Sequence, residues 1–156
     1  CLDCYERNDD SPQSIDQEFT GNQYLWGRVM NVDTGTFTDE NGEPLAYAGA
    51  SNKTPAGSEL EAMIAERVEK IRAAHPEKGE EPIPVDLVTC SGSGLDPEIS
   101  PAAAGYQAER IARERNMAVE DVEAVISRYT TGRFLGMFGE PRVNVLKVNL
   151  ALDGLI

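Results

Sequence analysis

Few residues in this chain have the types and spacing that do chemistry. Its 156 residues include one histidine, His75, and three cysteines, Cys1, Cys4 and Cys90. Cys1-Leu2-Asp3-Cys4 is a C-x-x-C, a spacing that suits a metal ion or a local disulfide. A zinc site needs about four ligands. The remaining candidates, Cys90 and His75, show no ligand-like spacing, so no metal site is expected. The second feature is a run of small residues, Ser91-Gly92-Ser93-Gly94, followed by Leu95, Asp96 and Pro97. Between a strand and a helix, such a run could cradle a phosphate on its N–H groups. The Walker pattern would require a lysine, and the dinucleotide pattern Gly-x-Gly-x-x-Gly; both are missing. The favoured reading is a tight turn that places Asp96 and Ser100 as capping groups. A nucleophilic Ser93 would need glycine at position 91 and a histidine partner. His75 is the sole candidate base, and it falls beside Pro76 in a polar stretch, so neither a Ser93 nor a Cys90 triad is expected.

The charge excludes other functions. The chain has 27 Asp and Glu against 14 Lys and Arg, a net charge of −13. Nucleic acid needs clustered cations, so it is not an expected partner. The excess is uneven: residues 1–58 hold ten acids and three bases, while residues 82–156 hold ten and seven. Apolar residues make up 40% of the chain, enough for a packed core. No apolar run reaches the ~18–20 residues of a membrane-spanning helix.

The elements that must position these residues follow from periodicity. Residues 1–14 read as a polar linker. Residues 15–30 suit short strands, with Phe19, Tyr24, Leu25, Trp26 and Val29. Asn41-Gly42 predicts a hairpin across residues 32–47, with Pro44 favouring an edge position. Leu60, Ile64, Val68 and Ile71 predict a helix over 58–74, with Ser58 and Glu61 as a capping box. Val85 to Thr89 reads as a short strand. Ser100-Pro101 predicts the start of a helix running to Arg115, with Asn116 as a left-handed stop. A further helix spans 119–129. Residues 132–139 read as loop. Pro141 opens a last helix, although Val143 to Val148 fits a strand equally well. The class is mixed α/β (α+β): a small sheet packed with about four helices, strand order not derivable from the pattern.

Two long blocks carry a resemblance. One runs from Pro84 through Cys90, Ser91, Gly92, Ser93, Gly94, Asp96 and Pro97 to Ala104. The other is Gly139-Glu140-Pro141-Arg142-Val143-Asn144-Val145 and onward to Asp153. Together they resemble the C subunit family of the bacterial Kdp potassium-transporting P-type ATPase. Tyr106-Gln107, Arg110-Ile111-Ala112, Thr131-Gly132-Arg133 and, more loosely, Tyr24-Leu25-Trp26-Gly27-Arg28 follow the same family in order. The family's Gly-Arg-Pro-Ser is Gly27-Arg28-Val29-Met30 here. The resemblance implies a non-catalytic accessory subunit of an ATP-driven K⁺ uptake pump, required for assembly. Its partners would be the pore-forming and ATP-hydrolysing subunits. It also implies a single-pass membrane anchor ahead of Cys1, with residues 15–156 as one extracytoplasmic domain. Ser91, Gly92, Ser93, Gly94, Asp96 and Pro97, with Glu140, Arg142 and Asn144, are the expected contact surface. The family has been linked to ATP affinity through a Ser-Gly-rich segment, so the alternative is a nucleotide-binding or hydrolytic domain using 91–94. No cofactor is expected otherwise. Asp33-Thr34-Gly35-Thr36 is similar to the phosphorylation motif of P-type pumps, but lacks its lysine and is read as a turn. An acidic domain at a pore entrance would also raise local K⁺, within a screening length of about 8–10 Å.

Overall fold

The computed structural model describes residues 21–54 and 57–156. Cys1, Cys4, the polar stretch to residue 14 and the segment around Phe19 lie outside the described residues. Strand β1, Val32–Thr38, pairs antiparallel with β2, Pro44–Ala48. The turn between them forms as Asn41-Gly42 predicts. Asp39 Oδ1 accepts the N–H groups of Asn41 and Glu43 at 2.8 and 2.9 Å, and those bonds hold the Asp39 carboxyl below its ordinary range. Asp33 to Thr36, expected as a turn, instead lie within β1, across an irregularity in the register.

Helix α1 spans Ser58–Ala74, where the spacing places it. The capping box does not form: Gly57 is the N-cap, Ser58 is already helical, and no side chain caps the helix. Glu59 and Glu61 still lie in the first turn, where they favour the positive end of the helix dipole. Val85 to Thr89 is not a strand. Val85–Leu87 forms a 3-10 turn, and Asp86, Leu87 and Val88 are all buried. An alternating strand could not turn three successive side chains inward.

Ser100 caps α2, Pro101–Tyr106, as the sequence indicates; its Oγ accepts the Ala103 N–H at 3.1 Å. The expected single helix breaks at Gln107, and α3 resumes over Ala108–Arg115. The cause is local. The Gln107 side-chain Nε2 donates to the Ala103 carbonyl, the acceptor its own backbone N–H would use in a continuous helix. That N–H bonds to Ala104 one residue nearer, tightening the turn. Asn116, at φ 53°, ends α3. Helix α4 is Val119–Arg128. Strand β4, Thr130–Thr131, precedes β5, Arg142–Asn144, and α5, Val145–Leu152. Pro141 therefore opens no helix: the ambiguous stretch is a strand and then a helix. A short strand β3, Glu98–Ile99, completes a second antiparallel sheet of order β3-β5-β4. Five α-helices and two small antiparallel sheets among the described residues make the mixed α/β class expected.

The core gathers Leu25, Ile71, Leu87, Ile99, Ile111, Val122, Val143 and Val148. At its centre is a polar hub. Arg110 is 0% exposed and His75 2%, so His75 is no polar-loop residue. Among the described residues no strand pairs with Leu25 and Trp26, and side chains take the role of a neighbouring strand. Asn149 accepts the Leu25 N–H at 2.7 Å and donates to its carbonyl at 3.0 Å. Gln107 does the same for Trp26, at 2.8 and 2.9 Å. Arg110 donates to the carbonyls of Asn22 and Tyr24, to Gln107 Oε1 at 2.7 Å and to His75 Nε2 at 2.9 Å. Its guanidinium also lies 4.2 Å from the Trp26 ring centroid. Most polar atoms of buried groups have such a partner.

His75 has to be neutral here. Its Nδ1 faces the Ile71 carbonyl at 2.7 Å and donates, leaving Nε2 to accept from Arg110. Burial pushes its pKa down and the charge of Arg110 adds to this, against the Ile71 carbonyl, which pulls it up. The unfolded chain, with an ordinary histidine pKa of about 6.5, therefore takes up this proton first as pH falls. The histidine's contribution to stability is complete above that pH and is lost as pH drops through it. Urea unfolding at pH 7.5 and pH 5.5 should show a lower midpoint at the acid side. His75→Gln should remove part of that difference; an unchanged difference would disconnect His75 from it.

Candidate functional site

The two resembling blocks meet in space. Glu98 pairs with Asn144 and Ile99 with Val143, so β3 and β5 join them in one ladder. The Val145 N–H extends this by donating to the Pro97 carbonyl at 3.1 Å. Asn144 caps α5, its Oδ1 accepting the Lys147 N–H at 2.9 Å. Arg142 Nε lies 2.7 Å from Glu98 Oε2, and Arg133 pairs with Glu140 at 2.9 Å. Asp96 Oδ1 accepts the Glu98 N–H at 3.0 Å, while Oδ2 stands 3.8 Å from Arg28 Nε.

The small-residue run is a turn. The Gly94 N–H donates to the Ser91 carbonyl at 3.2 Å, and the two serine hydroxyls are 3.2 Å apart. Gly94 is buried and has φ 73°, the left-handed region. Its carbonyl accepts the Asn31 N–H at 3.0 Å. A Cβ at this position would lie 2.5 Å from the Gly49 carbonyl oxygen and 2.7 Å from that of Asn31. The run thus seats the base of the β1–β2 hairpin. Asn31 fastens the same place from the other side, its Nδ2 donating to the Gly49 carbonyl at 2.9 Å.

These positions decide what the run can do. A phosphate cradle requires strand, loop and helix N-terminus in succession. Here a 3-10 turn precedes the run, β3 follows it, and α2 begins at Pro101 with Ser100 already capping it. His75 is not available to Ser93 or Cys90 as a base, because both of its ring nitrogens are engaged. Gly94, Asp96, Pro97 and Asn144 support the fold through the bonds above. Gly92, Ser93, Pro97, Glu140 and Arg142 remain exposed, all of them within or beside the two blocks that the β3–β5 ladder joins.

Sequence reasoning passed over the neighbouring tip. Residues 132–139 read as plain loop, yet Phe134 and Phe138 bond each other's backbones at 2.8 and 3.0 Å. Four large apolar side chains stand exposed on this turn. The signal was present in the sequence as Phe-Leu-Gly-Met-Phe, an apolar run between Arg133 and Gly139 with no polar face.

Comparison with known proteins places this arrangement. The family model described as "K+-transporting ATPase, c chain" matches residues 10–154. The chain is 61% identical over 142 residues to a "Potassium-transporting ATPase KdpC subunit" of Clostridium perfringens, an alignment covering 91% of this chain and 72% of that protein. A protein of the same description from Clostridium botulinum is 59% identical over 140 residues, covering 90% and 70%. One from Methylococcus capsulatus is 52% identical over 145 residues, also covering 90% and 70%. A family match over nearly the whole described chain, with relatives this close, settles the assignment: the chain belongs to the KdpC family of K⁺-transporting ATPase subunits.

Proposed function

We propose that this chain is a non-catalytic accessory subunit of an ATP-driven K⁺ uptake pump and acts in assembly of the complex. The observation that carries this reading is the joining of the two family blocks in the β3–β5 ladder. Ser93, Pro97, Glu140 and Arg142, in or beside the joined blocks, are exposed and are the side chains offered to a protein partner. Its partners are the pore-forming and ATP-hydrolysing subunits. Residues 15–156 form one domain on the extracytoplasmic side, tied through residues 1–14 to a membrane anchor. The use of Gly94 to seat a hairpin, and of His75 to hold Arg110, also supports a structural rather than catalytic part.

The test is co-purification in detergent of the anchored chain with a tagged pore-forming subunit. Recovery of both is expected, and Arg142→Glu, which reverses an exposed charge, should reduce it. No recovery of the wild-type chain would overturn the proposal. Calorimetric titration of the isolated domain with ATP is expected to give no saturable heat; saturable binding would restore the nucleotide reading of 91–94.

A further inference from the structure

Large apolar side chains on a protein surface are usually scattered singly. Here Phe134, Leu135, Met137 and Phe138 are 72%, 75%, 71% and 60% exposed within five residues. The turn that carries them is fixed. Phe134 and Phe138 are hydrogen-bonded partners, so their side chains share one face of the ribbon, and Met137, adjacent to Phe138, takes the other. Leu135 and Gly136 bend it at φ 52° and 73°. A leucine in that region is strained, yet it stands at the very tip.

A knob that is apolar on both faces suits a fluid apolar layer better than a rigid pocket, which would cover one side. The surrounding charge narrows the choice further. Residues 128–147 hold Arg128, Arg133, Arg142 and Lys147 against Glu140 alone, in a chain whose net charge is −13. Arg133 and Arg142 share their charge with Glu140 and Glu98 in pairs open to solvent, which exchange partners readily. The tip is therefore an apolar turn carried on a net-basic stretch of an acidic chain. Basic side chains beside exposed apolar ones are the combination that holds a segment at an anionic bilayer surface.

We infer that residues 134–138 form an interfacial wedge that enters the headgroup layer of a bilayer containing anionic phospholipid, with the flanking cations meeting the phosphates. The acidic remainder of the domain would be turned away from the membrane, which sets its orientation. This inference rests on the reading that the domain works at a membrane, but it can fail independently of the pump assignment.

The experiment is flotation of the purified chain with vesicles of mixed phosphatidylcholine and phosphatidylglycerol, and with vesicles of phosphatidylcholine alone. Binding to the mixed vesicles is expected, weakened about tenfold without the anionic lipid and falling as salt rises. The double variant Leu135→Asn, Met137→Ser should lose about tenfold or more in affinity while unfolding at the wild-type urea concentration, since asparagine accepts the positive φ. Absence of flotation on mixed vesicles, or equal binding by the double variant, would overturn the wedge. So would a double variant that floats as the wild type does but no longer co-purifies with the pore-forming subunit, which would assign the tip to a protein pocket. A wild-type chain that floats but fails to co-purify would leave the wedge standing and remove the pump reading.

Discussion

Arg110→Met should destabilise the domain by about 3 kcal/mol, read as a fall in the urea midpoint at unchanged slope. Two effects oppose one another. Removing a buried charge relieves a desolvation cost, and a buried ion replaced by an apolar residue is sometimes harmless. The cost is real here: burial pushes the Arg110 pKa down to about 10, although the group stays charged at neutral pH. The opposing effect is larger. Methionine removes the donor shared by His75 Nε2, a buried acceptor that costs about 1–3 kcal/mol, and by the part-buried Asn22 and Tyr24 carbonyls, which add less each. Gln107 Oε1 keeps the Trp26 N–H and loses less. Against a total stability of about 5–15 kcal/mol this is a severe loss. Arg110→Lys should recover only a part, because one ammonium cannot span acceptors placed for a planar fork. A methionine variant within about 0.5 kcal/mol of the wild type would show that the hub holds nothing up.

The second large effect is expected at Gly94. Alanine there meets only backbone: the Gly49 oxygen at 2.5 Å, the Asn31 oxygen at 2.7 Å and the Gly49 nitrogen at 2.8 Å. None of these is the loose end of a side chain, so the hairpin base must move as a unit. The positive φ adds about 1 kcal/mol of conformational strain. A loss of about 2–4 kcal/mol follows, with faster amide exchange at Asn31 and Gly49, whose N–H bonds pass through the displaced backbone. Gly92 is the control two residues away. Its Cβ would meet nothing within 4 Å, so Gly92→Ala should stay within about 0.5 kcal/mol. Equal effects at the two glycines would contradict a seat at Gly94 alone.

What could be read from the sequence follows the range of the forces involved. Ser100-Pro101, Asn116 and Asn41-Gly42 act on their own neighbours, and each produced the expected cap, stop or turn. The buried faces of α1 and α4 repeat at helical spacing and were equally legible. Gln107 was not: the bond to Ala103 that breaks the helix is local, but the same side chain is engaged by Trp26, 81 residues away. His75 reads as polar from its neighbours Pro76 and Glu77; only the partner Arg110, 35 residues on, makes its burial possible. The site shows the same division. The family blocks identify themselves by residue type, but that Gly94 supports the fold depends on the hairpin base at Asn31 and Gly49, and that Asn144 does so while Arg142 is exposed depends on the β3–β5 pairing. That register is a tertiary property. The apolar tip is a different case: residues 132–139 do form the expected loop, but its apolar character is plain in the residues themselves.

The pairing of Leu25 and Trp26 with Asn149 and Gln107 has a consequence for biogenesis. The contacts span 124 and 81 residues. A chain emerges from the ribosome N-terminus first, at about 5–20 residues per second. Leu25 is thus made early, yet the side chain that satisfies its backbone N–H and carbonyl, Asn149, is not present until α5 has been synthesised. The hairpin and α1 can form as they emerge, whereas the closure around Leu25 must wait for the end of translation. Long-range closure of that kind is slow. Truncation within α5 should therefore leave the earliest segment open to protease, although the residues removed lie at the opposite end of the chain.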